Sequence, residues 1–283
     1  MGMIIFDSKR NQTDYFWGER TSTLDWCEEN YYTSRFLAEF WNTFSSIFYV
    51  LSALYLIKKC YIGKIKKSFT ILYFSLAVVG LGSMAFHATL KLFTQLLDEL
   101  PMIYSSTLFL YFLIEYKDEL KYGYKLPPLL LFANIFITYS YVSNLNPIFH
   151  QIMFGALMLS AFLACADLMK RIPKGCLFKN CATKLLLHAF GAGLLGFIAW
   201  NFDNLFCSCL RQTRSVVGWP MSVLFQLHAW WHILTAYGAH CLGIFMVSLR
   251  LVLNDRSDFN VAFEYGIPTL QFIDPTATKS KGD

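Results

Sequence analysis

Two histidines four residues apart, in the run Gln226-Leu227-His228-Ala229-Trp230-Trp231-His232, have a spacing that suggests chemistry. On a helix, positions i and i+4 project from one face, so both imidazoles can reach one metal ion. The alternative is a pair of core histidines hydrogen-bonded among aromatics. A third histidine, His87, ends a distant apolar stretch. Metalloprotease helices carry a glutamate beside the first histidine. Here the intervening residues are Ala-Trp-Trp, so a proton-transfer group must come from elsewhere. Asp98 follows His87 by eleven residues, about 16 Å along a straight helix. If both serve one site, the chain must reverse near residues 89–94. Ser83 lies one helical turn before His87, on the same face, where its hydroxyl can donate to a developing oxyanion. The competing readings are a helix N-terminal carboxylate for Asp98 and a hydroxyl bonded to its own helix for Ser83.

The elements that must carry these groups are membrane spans. The 283 residues are 55% hydrophobic and 18% aromatic but only 15% charged, with mean hydropathy +0.41. Soluble domains carry about 25% charged residues. A soluble enzyme, a disordered chain and a coiled coil are therefore excluded, leaving a polytopic membrane protein with short loops. The net charge of +5 comes without a basic stripe, so nucleic acid is not an expected partner. Seven apolar stretches are expected to cross as helices: 34–57, 69–89, 94–116, 127–142, 147–169, 185–203 and 221–253. The expected fold class is an all-α bundle of seven transmembrane helices. Lys58, Lys59, Lys64, Lys66, Lys67, then Lys117, Lys121, Lys125, then Lys170, Arg171, Lys174, Lys179 and Lys184 crowd three alternate loops. By the positive-inside rule those loops are cytosolic, the N-terminus is lumenal and the C-terminus cytosolic. His87 then closes span two at the lumenal side. His228 lies about 10 Å inside span seven at 1.5 Å per residue. Three imidazoles at one depth in an apolar medium suggest zinc with an open fourth position. His150, His188 and His240 read as structural.

Ahead of the spans, residues 1–33 form a polar lumenal segment, and residues 256–283 form a cytosolic tail around the catalytic bundle 34–255. The end of that tail, 276–283, reads as disordered. Asn11-Gln12-Thr13 is a glycosylation sequon on the lumenal side. The stretch Thr21 to Asn30 is dense in oxygen donors, with Glu39 entering span one. It is either a solvated acidic surface or a calcium loop, and it lacks the EF-hand pattern. Cys27, Cys207 and Cys209 fall on the oxidising side, which permits one bridge from Cys27 to Cys207 or Cys209, or free thiols.

Several runs together resemble the alkaline ceramidases. They are Tyr15-Phe16-Trp17-Gly18, Thr23-Leu24-Asp25-Trp26-Cys27-Glu28-Glu29-Asn30-Tyr31 and Ala38-Glu39-Phe40-Trp41-Asn42-Thr43. Further along come Gly82 to Leu90, Gln95 to Met102, Trp200 to Asn204 and Gln226 to His232. The resemblance covers residues from about 15 to 255. It implies an integral membrane amidase of the endoplasmic reticulum or Golgi that splits ceramide into a sphingoid base and a fatty acid. It implies zinc on His87, His228 and His232, with Ser83 and Asp98 beside it as catalytic groups. It also implies calcium held by Asp25, the Trp26 carbonyl, Glu28, Asn30 and Glu39, and a bridge between Cys27 and Cys207. The wider superfamily includes receptors with the same seven spans and histidine triad, so a zinc-bearing receptor or structural protein is the alternative. A metal or proton transporter is weaker, because the cytosolic half supplies few ionisable groups.

Overall fold

The computed structural model describes residues 15–117, 119–172 and 177–273. The sequon at Asn11 and the tail at 276–283 lie outside the described residues. The helices are α1 (Phe40–Ser45), α2 (Ile47–Ile62), α3 (Lys67–Thr89), α4 (Leu92–Ile114), α5 (Leu126–Asn144), α6 (Pro147–Arg171), α7 (Leu177–Leu205), α8 (Cys207–Val217) and α9 (Leu227–Leu253). Two strands follow, β1 (Phe259–Glu264) and β2 (Ile267–Phe272). Among the described residues seven helical stretches are long and apolar enough to cross a bilayer, α1 and α2 counting as one. Helices are the form such stretches must take, because lipid offers no partner to a free backbone N–H or C=O. The expected seven-span, all-α bundle is therefore observed.

Local sequence sets the helix ends. Pro147 opens α6 where a missing N–H costs nothing, and the Asn146 side chain accepts the N–H of Ile148. Leu90 is left-handed at φ 51° and closes α3. The chain turns over Leu90 and Lys91 and re-enters the bundle as α4, so the reversal needed between His87 and Asp98 falls where it was expected. At Ser46 the first span breaks into α1 and α2. The Ser46 hydroxyl donates back to the Asn42 carbonyl, a bond that competes with the helical ladder.

Close packing holds the bundle together, as lipid tails leave no hydrophobic drive between helices. A Cβ on Gly238 of α9 would sit 2.8 Å from the Ala189 carbonyl of α7, so these backbones nearly touch. At the end of the bundle reached by the Lys-rich connectors, Leu72, Tyr73, Leu185, Ile244, Phe245 and Leu270 form a fully enclosed core.

Two features depart from the expected loops and tail. The stretch expected as a loop at 204–220 contains α8, and α9 begins at Leu227 rather than 221. Residues Met221–Phe225 form a separate 3-10 turn, and Gln226 is non-helical at ψ 77°. His228 consequently sits in the first turn of α9 and not two turns inside it. The tail after 255 forms a β-hairpin with Tyr265 and Gly266 at φ 51° and 83°, the paired positive angles of a two-residue primed turn. The hairpin lies against the bundle. The Leu270 N–H donates to the Tyr55 hydroxyl, His240 Nε2 to the Pro268 carbonyl and the Tyr237 hydroxyl to the Gly266 carbonyl, at 2.9, 2.9 and 2.6 Å.

Candidate active site

The last turn of α3 brings His87 to the first two turns of α9, which carry His228 and His232. Their ring centroids lie 4.6 to 5.1 Å apart and all three side chains are buried. Among the described residues this is the one set of three His, Cys, Asp or Glu groups whose ligand atoms all lie within 4.8 Å of one another.

Each imidazole is oriented by a second group, as metal-binding histidines require. His87 Nδ1 lies 2.5 Å from Glu39 Oε2. His232 Nδ1 lies 2.8 Å from the Ser45 hydroxyl. The His228 ring is stacked under the Trp26 indole at 4.0 Å. Its backbone N–H donates to Asp203 Oδ1 at 3.3 Å, while Asp203 Oδ2 accepts the Cys27 N–H at 3.2 Å. These ties consume one nitrogen each on His87 and His232. His87 Nε2 and His228 Nδ1 are buried with no hydrogen-bond partner. Buried ring nitrogens are not left orphaned without reason. Three imidazoles gathered this closely, two of them with an unpartnered ring nitrogen, suit a metal ion with imidazole preference.

Asp98 and Ser83 come together beside the triad. Both are buried, the Ser83 side chain faces Asp98, and the Ser83 oxygen lies 3.0 Å from that of Ser46. Their meeting depends on two residues that sequence reasoning passed over. Pro101 lies inside α4 and removes the N–H that would bond the Leu97 carbonyl. Gly82 of α3 packs against that same carbonyl, which a Cβ there would approach to 1.9 Å. Only a glycine allows the two helices this approach, and Ser83 follows it directly.

The acidic segment is clamped over the site. The Ala38 and Glu39 N–H groups donate to the Ala88 and His87 carbonyls. Glu28 accepts the N–H groups of Trp41 and Asn42 at 2.7 and 2.9 Å, and Glu39 accepts that of Trp26 at 3.1 Å. Asn30 Nδ2 donates to Asp25 at 3.0 Å, and Asn30 Oδ1 is buried without a partner. Burial, then the neighbouring Glu39 charge, pushes Glu28 up to about 8. Buried carboxylates beside an orphaned amide oxygen suit a hard cation. Asp25, Glu28 and Glu39 are less tightly gathered than the imidazoles. Arg211 and Arg214 of α8, read in the sequence only as loop charge, hold the Cys27 and Glu28 carbonyls, and Arg214 pairs with Glu29 at 3.1 Å. The Cys27 and Cys207 sulfurs are 2.26 Å apart across a Cα separation of 5.3 Å, whereas Cys209 is exposed. His150, His188 and His240 lie away from the triad, bonded to Glu99, Tyr237 and Pro268.

A seven-span membrane protein with a buried histidine triad, a serine and a carboxylate at one end of its bundle is thus defined as a class. Residues 18–272 match the family model described as Ceramidase. The chain is 39% identical over 260 residues to alkaline ceramidase 3 of Mus musculus, across 91% of this chain and 94% of that one. It is 36% identical over 266 residues to alkaline ceramidase YPC1 of Saccharomyces cerevisiae, across 89% and 84%. It is 29% identical over 263 residues to an alkaline ceramidase of Arabidopsis thaliana, across 91% and 94%. The chain belongs to the ceramidase family of amidohydrolases.

Proposed function

We propose that the protein hydrolyses the amide bond of ceramide at the His87–His228–His232 centre, with zinc on the three imidazoles. The observation that carries this reading is the buried triad, whose ligand atoms lie within 4.8 Å of one another while two of its ring nitrogens have no hydrogen-bond partner. Lewis acidity, and a water made acidic enough to attack near neutral pH, is the chemistry zinc supplies in such a position.

The chain's own groups do the rest. Asp98 accepts the proton of the attacking water and delivers it to the leaving amine, the two duties of one general acid–base group. Ser83 donates its hydroxyl hydrogen toward the carbonyl oxygen as negative charge grows there. Glu39 and Ser45 hold His87 and His232 in the tautomers that present a free nitrogen inward. The apolar bundle accommodates the acyl and sphingoid chains and admits an insoluble substrate from the bilayer. Asp25, the Trp26 carbonyl, Glu28, Asn30 and Glu39 would hold a calcium ion, which would fix the N-terminal segment over the site. Glu39 belongs to both sets and joins them.

The N-terminal face is read as lumenal, supported by the Lys-rich connectors at the opposite end and by the bonding distance between Cys27 and Cys207, which suits a disulfide in an oxidising compartment. An endoplasmic reticulum or Golgi membrane meets both conditions, and microscopy of a tagged chain checks it. The activity is tested on the purified protein by release of fatty acid from ceramide, alongside its zinc content. His228→Ala is expected to abolish turnover and to lower bound zinc. Undiminished turnover in that variant sinks the reading.

A further inference from the structure

The first two turns of α4 carry more polar chemistry than the proposed reaction uses. Asp98 faces Ser83 of α3, while the next residue, Glu99, faces α5 and α6. Glu99 Oε2 accepts the Tyr141 hydroxyl and, at 2.9 Å, Gln95 Nε2. His150 Nδ1 lies 3.7 Å from Glu99 Oε1, and its Nε2 donates to the Glu99 backbone carbonyl at 2.8 Å. Gln95 Oε1 accepts the Thr23 N–H at 2.8 Å, and Gln95 Nε2 also reaches the Thr23 hydroxyl at 2.8 Å. All four side chains are buried, with Gln95 and Tyr141 wholly so. An ionisable cluster inside a bilayer is expensive and is kept where it performs a task.

The task follows from the helix that bears it. Adjacent residues on a helix point about 100° apart, so whatever fixes Glu99 fixes where Asp98 points. The ladder of α4 is interrupted at that turn, because Pro101 offers no N–H to Leu97. A helix with a missing rung can rotate locally, and external ties must then set its angle. Glu99 is held by His150 through its main-chain carbonyl, and through its side chain once each by Tyr141 and Gln95. Gln95 extends the same ties to Thr23, two residues before Asp25 in the segment clamped over the triad.

We infer that Gln95, Glu99, Tyr141 and His150 form a positioning site that fixes the rotation of α4 so that Asp98 meets Ser83 beside the imidazoles, and that ties this alignment to the N-terminal segment through Thr23. The inference rests on the proposed role of Asp98. These residues touch neither the reacting amide nor the triad, so their effect falls on turnover and not on substrate or metal binding.

The test uses the full-length protein purified in detergent, with Tyr141→Phe, Glu99→Gln and Asp98→Asn compared for kcat, KM and zinc per chain. Tyr141→Phe deletes a single oxygen and keeps the ring, so it remains informative if Glu99→Gln does not fold. Tyr141→Phe is expected to lower kcat by about 10- to 100-fold, leaving KM within about twofold and zinc unchanged. Turnover at the parent level in Tyr141→Phe overturns the inference. So does a loss of turnover that merely follows a loss of zinc or of folded protein, which is a structural role. Asp98→Asn distinguishes the positioning site from the role of Asp98 itself. If Asp98→Asn is inactive while Tyr141→Phe is unaffected, only the positioning site is wrong; if Asp98→Asn is active, the role of Asp98 itself is wrong.

Discussion

Glu28 shows how a single side chain can report on a bound cation. Burial raises its carboxyl from 4.5 to about 8. The folded chain therefore binds that proton more tightly than the unfolded chain does. This contribution to stability is complete below the unfolded value and is lost as pH rises through about 8. With a calcium-selective chelator present, the thermal midpoint is expected to fall as pH rises from about 4.5 to about 8. Added calcium should remove the fall, because a cation stabilises the ionised carboxylate and binds only the folded state. Melting curves that respond to pH identically with and without calcium would count against a calcium loop. At this scale the sequence is legible wherever a residue type is costly in its setting. Histidines, Asp98 and a hydroxyl inside apolar spans stand out on composition alone. Asp203 and Ser45 do not, because their duties, capping the start of α9 and holding His232, exist only after distant segments meet.

Helix pairs are where this site gains or loses its geometry. Gly82→Ala places a methyl group where only 1.9 Å separates it from the Leu97 carbonyl. α3 and α4 must move apart, taking Ser83 from Asp98. The expected cost is about 1–3 kcal/mol, with a loss of turnover greater than the loss of folded protein, read by activity against thermal unfolding. Unchanged activity in that variant would show that the close approach is not needed. The hairpin is a second test of element packing. Leu270 is wholly buried against the bundle, so Leu270→Ala is expected to destabilise by about 2 kcal/mol or more through the cavity it leaves, measured by thermal melting in detergent. The seven spans were readable because length and apolarity suffice to recognise a crossing. The hairpin was not, since two six-residue strands carry no distinctive pattern until the bundle offers them a face. The start of α9 was misplaced by six residues for a related reason: 221–226 are apolar enough to span, but Gln226 leaves the helical region.

For the whole molecule, orientation is the property with the widest consequences. Cys209 is exposed on α8, at the face of the triad. A membrane-impermeant maleimide applied to sealed microsomes should therefore leave it unlabelled until detergent is added, with Cys209→Ser defining its share of the signal. Labelling of intact vesicles would invert the bundle. By itself the sequence determined a seven-helix membrane protein, the chain reversal after His87 and the residue types of the site, because hydropathy, charge bias and the expense of buried polar groups are local properties. Tertiary structure alone decided that Glu39 reaches His87 and that Gly82 admits Leu97. Those contacts join residues far apart in the chain, and their geometry comes from how helices cross, which no local pattern encodes.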